Sequence, residues 1–336
     1  MKASQSPTMV DVAAQAGVAL KTVSRYVNGE TNIDPALAER IRLAIETLGY
    51  RRNLQAASIR PGRRSRVVGL IISDLANPYY SVLTKAVEAL LWSQGYLLTT
   101  VSSEEDGARH DRAIERLMEQ RVDALLVVPP RVPGRPWSEV RRPIPPVVFL
   151  DRPAEYDEAD TVLADNTGGA RDATTALVRV GSRRIAFVGD SLSIYTMAQR
   201  FDGYQSGLAQ SSLLFSESLL SAEAHSSEQA CAEVERLVLS CGADAIFAAN
   251  NRAAIGALSA FSAGVPRVPM IAFDDFEAAP LVTPAISVVS QDVVAMGRVA
   301  AELALERISG TRITPRRVVL ATQLILRGSE RQYPQP

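Results

Sequence analysis

The chain has 336 residues, 47% of them hydrophobic and 22% charged, with a formal net charge of −1; this profile suits a globular protein of about two or three domains and excludes a disordered or fibrous chain. No apolar run approaches the roughly 20 residues that a membrane helix needs, and the opening MKASQSPT has no hydrophobic signal core, so a cytoplasmic protein with no membrane partner is expected. Cys231 and Cys241 are the only cysteines, too few for a disulfide framework and in no metal-ligand pattern.

The net charge hides an asymmetry. Residues 1–66 carry 11 Lys and Arg against 5 Asp and Glu, a net of +6, which leaves −7 for the remainder. A basic head on an acidic body suits a nucleic-acid module joined to another kind of domain.

Residues 8–29 read TMVDVAAQAGVALKTVSRYVNG. Thr8, with Asp11 three residues on, forms a Thr-x-x-acid capping box. Val12, Ala13 and Ala16 mark the apolar side of a short helix, and Gly17 stops it because glycine takes positive φ cheaply. A second helix is predicted from about Leu20 to Val27, with Val23 and Val27 facing inward and Asn28-Gly29 at its end. Two short helices across a glycine turn form a helix-turn-helix, whose second helix can lie in a DNA major groove. Leu20 on that helix can meet a thymine methyl, and Lys21 or Arg25 a guanine. Thr8, Thr22, Ser24 and Asn28 suit phosphate oxygens. Helix-glycine-helix pairs also occur in purely structural domains, so the pattern alone leaves the function open.

In the next stretch Asp34 caps and Pro35 opens a third helix, whose stripe Leu37, Ile41, Ile45, Leu48 ends at Gly49. Residues 51–66, RRNLQAASIRPGRRSR, hold six arginines. They read either as a basic linker or, over 53–59, as a two-turn helix too short to stand alone in water. From Val67 the pattern changes to apolar strands alternating with helices: VVGLIIS, a helix from Pro78 to Gln94, YLLTTVS, a helix from Asp106, VDALLVVP, PPVVFLD and TVLAD. A second series follows with RRIAFVGD, DAIFAAN and PMIAFDD and helices near 167–180, 197–210, 227–240 and 251–263. Such alternation predicts doubly wound parallel sheets, and about 270 residues exceed one core. AISVVSQD and RRVVLATQLIL read as crossover or edge strands.

The run DVA…AGV…KTVSRYVN resembles the DNA-binding head of the lactose-repressor (LacI/GalR) family of transcription regulators. The likeness continues through LGYRRN at 48–53 and on to about residue 330. It implies an N-terminal all-α helix-turn-helix head at 1–52 and a hinge helix and linker at 53–66. Residues 67–336 then form an α/β periplasmic-binding-protein-like core of two doubly wound parallel-sheet lobes. The N-lobe is expected at about 67–164 and 293–322, the C-lobe at about 165–292 and 323–330. It further implies that Asn53 and Ile59 belong to a hinge helix that pairs with a second copy in the minor groove, with Ile59 as the apolar wedge. The expected partners are pseudo-palindromic double-stranded operator DNA, a second copy of the chain and a small-molecule effector, a sugar or sugar derivative being the first choice. Ala19 departs from the family by standing where a serine usually caps the second helix, and Arg51-Arg52 replaces an apolar-Pro pair.

In open α/β sheets, ligands sit outside the carboxyl ends of the strands. Here those ends are polar: DLANPYY at 74–80, Asp151-Arg152, Asp190, Asn250-Asn251 and Asp274-Asp275. The resemblance maps the effector site onto Tyr79, Tyr80, Asp151, Arg200 in QRFDGY, Asn250 in ANNRAAIGA, Asp274 in AFDD and Gln291 in VVSQD. His225 falls near where some members of the family stack an aromatic on the ligand; the other reading, a solvated loop residue, is preferred.

Two other readings each match part of the sequence. A solute-binding protein of the transport type has the same core but predicts an export signal and no basic head. Gly189-Asp190-Ser191-Leu192 spells the nucleophile block of GDSL hydrolases, whose serine needs a histidine to take its proton. His110 and His225 are the only histidines, and neither follows an aspartate by three residues near the C-terminus. No catalytic residue, cofactor motif or metal cluster is therefore expected.

Overall fold

The computed structural model describes residues 7–51 and 64–331. The chain divides into two compact units, 1–65 and 66–336.

The first unit is a three-helix head: α1 Met9–Ala16, α2 Leu20–Val27 and α3 Pro35–Leu48. Its small core is Val12, Ala13, Ala16, Val23, Ile41 and Ala44. Each end follows from local chemistry. The Thr8 amide donates to Asp11 Oδ2 (2.8 Å) and the Asp11 amide to Thr8 Oγ1 (3.4 Å), closing the capping box. Gly17 turns at φ +62° beneath Arg40, whose Nη2 donates to Gly17 O at 3.2 Å; a Cβ there would lie 2.5 Å from that nitrogen. Asp34 Oδ1 accepts from Ala36 N and Leu37 N (2.9 and 3.2 Å) to start α3. Ala19 takes the N-cap backbone of α2 with no side-chain hydrogen bond.

The second unit runs β1 Val67–Ile72, α4 Pro78–Ser93, β2 Leu97–Ser102, α5 Gly107–Glu119, β3 Ala124–Val127, β4 Val147–Leu150 and β5 Asp160–Ala164. It continues with α6 Asn166–Arg179, β6 Ile185–Val188, α7 Tyr195–Gln210, β7 Leu220–Ser221, α8 Ser227–Leu239, β8 Ala245–Ala248, α9 Asn251–Ser262, β9 Met270–Phe273 and β10 Ser287–Gln291. It closes with α10 Val293–Ser309, β11 Arg317–Leu320 and β12 Thr322–Ile325. Two six-stranded sheets result, in the orders β11-β5-β4-β3-β1-β2 and β12-β10-β9-β8-β6-β7. Helices cover both faces of each, which is why β3, β4, β6, β8 and β9 are apolar and buried throughout. Among the described residues no helix is long and apolar enough to cross a membrane.

The lobes are joined by three short crossings. Two are aspartates that cap the following helix: Asp165 Oδ1 accepts from Gly168 N, and Asp292 Oδ1 from Ala295 N, each at 2.8 Å. The third is Ala321, between β11 and β12. The run RRVVLATQLIL, which reads as one strand, is therefore divided: β11 lies parallel to β5 in one sheet and β12 antiparallel to β10 in the other. Thr322 thus pairs with Gln291 in the C-lobe sheet. The helix α10 was not foreseen from sequence. It packs on α4 through Gly297, where a Cβ would come within 2.8 Å of Leu83 O. The two-residue strand β7 is too short to carry a pattern.

Candidate functional site

The head presents one face of α2. Val23 is fully buried, while Leu20 is 46% exposed and Lys21 and Asn28 are exposed beside half-buried Thr22, Ser24 and Arg25. Arg25 is already engaged: Nε pairs with Glu30 Oε2 at 2.7 Å and Nη2 donates to Asn32 O at 3.2 Å. The Thr8 hydroxyl donates to Asp11 Oδ2 (2.7 Å), and Asn28 Nδ2 to Ser24 Oγ (3.4 Å). Asn53, Ile59 and the expected hinge helix lie outside the described residues.

The body holds a cleft between the carboxyl ends of its two sheets, enclosing about 540 Å³ including its mouth. All seven sequence-predicted effector residues line it: Tyr79, Tyr80, Asp151, Arg200, Asn250, Asp274 and Gln291. Strand ends aim most of them. Asp151 follows β4 and Asp274 follows β9, and both take the left-handed backbone at φ +64° and +71°, which aspartate tolerates better than most side chains.

On the C-lobe wall, Arg200 is 3% exposed and fully committed. Its Nε donates to Asn166 Oδ1 (2.8 Å), and Nη1 to Ala249 O (2.7 Å) and Asp274 Oδ2 (3.2 Å). Its guanidinium carbon lies 3.8 Å from the Phe273 ring centroid. Gln291 Nε2 also donates to Asp274. Asn250 Oδ1 caps α9 through Ala253 N (2.8 Å).

On the N-lobe wall, the Tyr79 hydroxyl donates to Asp151 Oδ1 (3.2 Å), and Arg152 reaches both oxygens of Glu105 (2.8 and 2.9 Å). Burial pushes the Tyr79 hydroxyl well above its usual range, and the Asp151 carboxylate adds to this. Burial likewise raises the Asp151 carboxyl, against the pull of Arg152 and Arg200. Tyr80 only edges the cleft. Its ring is N-lobe core, and its hydroxyl accepts from Ser73 Oγ at 2.7 Å.

Several polar contacts among the described residues cross from lobe to lobe, including one from Arg317 Nη2 to the Tyr195 hydroxyl (3.0 Å). Arg252 pairs with Asp74, Asn251 Nδ2 donates to Asn77 Oδ1 (3.0 Å), and Arg131 Nη1 lies 3.2 Å from Asp190 Oδ1. Glu105, Arg131 and Arg252 were missed from sequence. The rule that flagged the other strand ends reaches Glu105, which follows β2. Asp275, flagged beside Asp274, is held by Arg327 instead (2.8 and 2.6 Å). His225 does lie in a loop and its side chain is 38% exposed, but it is held by charged partners. Its Nδ1 meets Asp190 and lies 3.0 Å from Arg131 Nη1, and its Nε2 lies 3.2 Å from Glu223 Oε2. Ser191 donates its hydroxyl to Glu223 Oε1 (3.3 Å), while the imidazole serves Asp190. This is not the geometry of an activated serine.

A domain of bacterial regulatory proteins of the lacI family matches residues 8–53, and a periplasmic binding protein-like domain matches residues 174–330. The HTH-type transcriptional regulator CelR of Thermobifida fusca is 31% identical, over 98% of this chain and 100% of its own length. The ribose operon repressor of Escherichia coli is 29% identical, over 96% and 99%. A solved CelR–cellobiose complex superposes with a TM-score of 0.69 at 29% identity, covering 96% of this chain and 99% of that one. The lac repressor dimer bound to operator and the anti-inducer ONPF shares the fold, with a TM-score of 0.82 at 22% identity over 97% and 100%.

Head and body together define a helix-turn-helix transcriptional regulator with a periplasmic-binding-protein-like core. The chain belongs to the LacI family of bacterial regulatory proteins. The relatives named above are regulators, not enzymes.

Proposed function

We propose that this chain is a cytoplasmic, non-catalytic repressor that binds a pseudo-palindromic operator as a homodimer and is controlled by a small sugar-like effector in the cleft. The observation that carries it is the convergence of seven polar and aromatic side chains at the carboxyl ends of two sheets, on a chain whose head is a helix-turn-helix. The naming of relatives as a ribose operon repressor and as a CelR–cellobiose complex supports a sugar, and the operator-bound lac repressor dimer supports the assembly. Residues 1–52 serve as the DNA-binding domain, 53–66 as hinge and 67–336 as effector body.

Leu20, Lys21 and Arg25 read bases, with Arg25 exchanging Glu30 for DNA. Thr8, Thr22, Ser24 and Asn28 hold phosphates, and Asn53 and Ile59 act in a hinge helix ordered by the minor groove. The effector acts through its different affinity for lobe arrangements that do or do not support paired hinges.

Two measurements test this. Operator selection with Lys21→Ala is expected to relax preference at one base pair by about 1–3 kcal/mol; uniform weakening on all sequences assigns Lys21 to a phosphate instead. A thermal-shift screen of the full chain against sugars and purines is expected to find a stabilising sugar, and silence from both classes removes the small effector.

A further inference from the structure

The cleft has a charge balance that selects among ligands. Three guanidinium groups line it, and each already faces a carboxylate. Arg152 grips both oxygens of Glu105 (2.8 and 2.9 Å), Arg200 spans Asp274 (3.2 and 3.4 Å), and Arg252 is paired with Asp74. The neighbouring cation, Arg131, is held by Asp190 at 3.2 Å. Two buried side-chain atoms of this lining have no hydrogen-bond partner among the described residues: a donor, Arg152 Nε, which lies 3.5 Å from Asp151 Oδ2, and an acceptor on Gln291. Gln291 is 8% exposed, and its buried Oε1 has no partner among the described residues. Asp151 is 5% exposed; it receives the Tyr79 hydroxyl and stands 3.5 Å from the Nε of Arg152, a side chain whose terminal nitrogens serve Glu105.

We propose that the effector is a polyhydroxy molecule with no anionic group, whose hydroxyls donate to Asp151 and to Gln291 Oε1, and that sugar phosphates and sugar acids are rejected by charge. This rests on the reading of the cleft as the effector site. An incoming phosphate or carboxylate has two options. It can take an arginine from its partner and leave a half-buried carboxylate unpaired, or it can lie unpaired beside Asp151. Both are unfavourable where these groups are largely shielded from water. The wall thus rejects anions by repulsion as well as welcoming donors.

The test is titration calorimetry and thermal shift on the full-length protein with matched sets on one carbon skeleton. Suitable probes are D-glucose, D-glucosamine, D-glucose 6-phosphate and D-gluconate, with the corresponding ribose, galactose and cellobiose series. At least one neutral sugar is expected to bind, with its phosphate ester or aldonate weaker by at least about tenfold. In Asp74→Asn, which frees Arg252, that gap is expected to narrow; folding is checked by the ligand-free melting curve and operator binding. An anion that binds as tightly as its neutral parent overturns the charge rule and leaves the effector site standing. So does an unchanged gap in a folded Asp74→Asn protein. No response to any member of any set overturns the effector reading itself.

Discussion

In strand order the two lobes match: β1, β2, β3, β4, β5 and β11 hold the same places as β6, β7, β8, β9, β10 and β12. Their first strands are pinned alike, with Arg66 N donating to Asp123 (2.9 Å) and Arg183 N and Arg184 N to Asp244 (2.8 and 2.9 Å). Each fourth strand ends in a left-handed aspartate that faces the cleft. The chemistry around those two aspartates differs. Asp274 is held by Arg200 and Gln291 Nε2 before any ligand arrives, with Gln291 Oε1 the atom of that wall left without a partner among the described residues. Asp151 has a tyrosine hydroxyl and a distant guanidinium, and burial works against its charge. One backbone device has thus produced a preassembled wall and an undersatisfied one. A ligand's donors gain most at the second.

The largest expected effect comes from breaking the preassembled wall. Arg200→Ala leaves Asp274, Asn166 Oδ1 and Ala249 O without their buried donor. Removing one partner of such a pair costs about 3–5 kcal/mol, read as a lower urea midpoint at pH 7. The matching change on the other wall, Asp151→Asn, is expected to go the other way. Because burial raises this carboxyl above its unfolded value, folding favours the protonated form. The wild type carries no penalty below the unfolded carboxyl range of about pH 3.9 and loses stability as the pH rises through the raised folded value. Asp151→Asn therefore equals the wild type in acid and exceeds it at neutral pH, while binding effector more weakly. Urea midpoints across pH measure this; a loss at pH 7 as large as that of Arg200→Ala would erase the contrast between the walls.

Much of this was legible in the sequence, for identifiable reasons. Strand ends repeat one pattern, an apolar run followed by a polar side chain, so Asp74, Asp151, Asp190, Asn250, Asn251 and Asp274 of the cleft could be marked before any contact was known. Head caps such as Thr8, Gly17 and Asp34 act within three or four residues and are equally visible. What was not legible depends on contacts far apart in the chain. Arg252 is a surface helix residue until Asp74, 178 positions earlier, is placed opposite it. His225 reads as loop until Asp190 and Arg131 meet it. The division at Ala321 is invisible because both β11 and β12 are apolar, and only the partner strands differ.

Smaller effects sharpen the comparison. Tyr79→Phe removes the one hydroxyl donated to Asp151. It is expected to cost about 1 kcal/mol and to raise the Asp151 carboxyl further, because that hydrogen bond favours its charged form. The pH dependence of Tyr79→Phe should therefore be steeper than that of the wild type.

The smallest change in folding stability is expected at the contact that ties the two walls together. Asp74 and Arg252 are 15% and 35% exposed, and such partly solvated pairs contribute at most about 1 kcal/mol to folding. Arg252→Ala is then nearly silent in a urea titration. Its effect falls on lobe closure, because the pair joins the loop after β1 in one lobe to α9 in the other. Opening the cleft lowers the population competent to hold ligand, and apparent affinity falls in proportion. A loss of about threefold in effector affinity, with a larger radius of gyration by X-ray scattering without ligand, is the expected pairing of results. Arg131→Ala acts on the other cross-lobe ion pair and should add to it, since the two do not share a partner. If neither variant changes the scattering profile, the two ion pairs do not set the lobe arrangement, and the difference between the walls has no mechanical consequence through them.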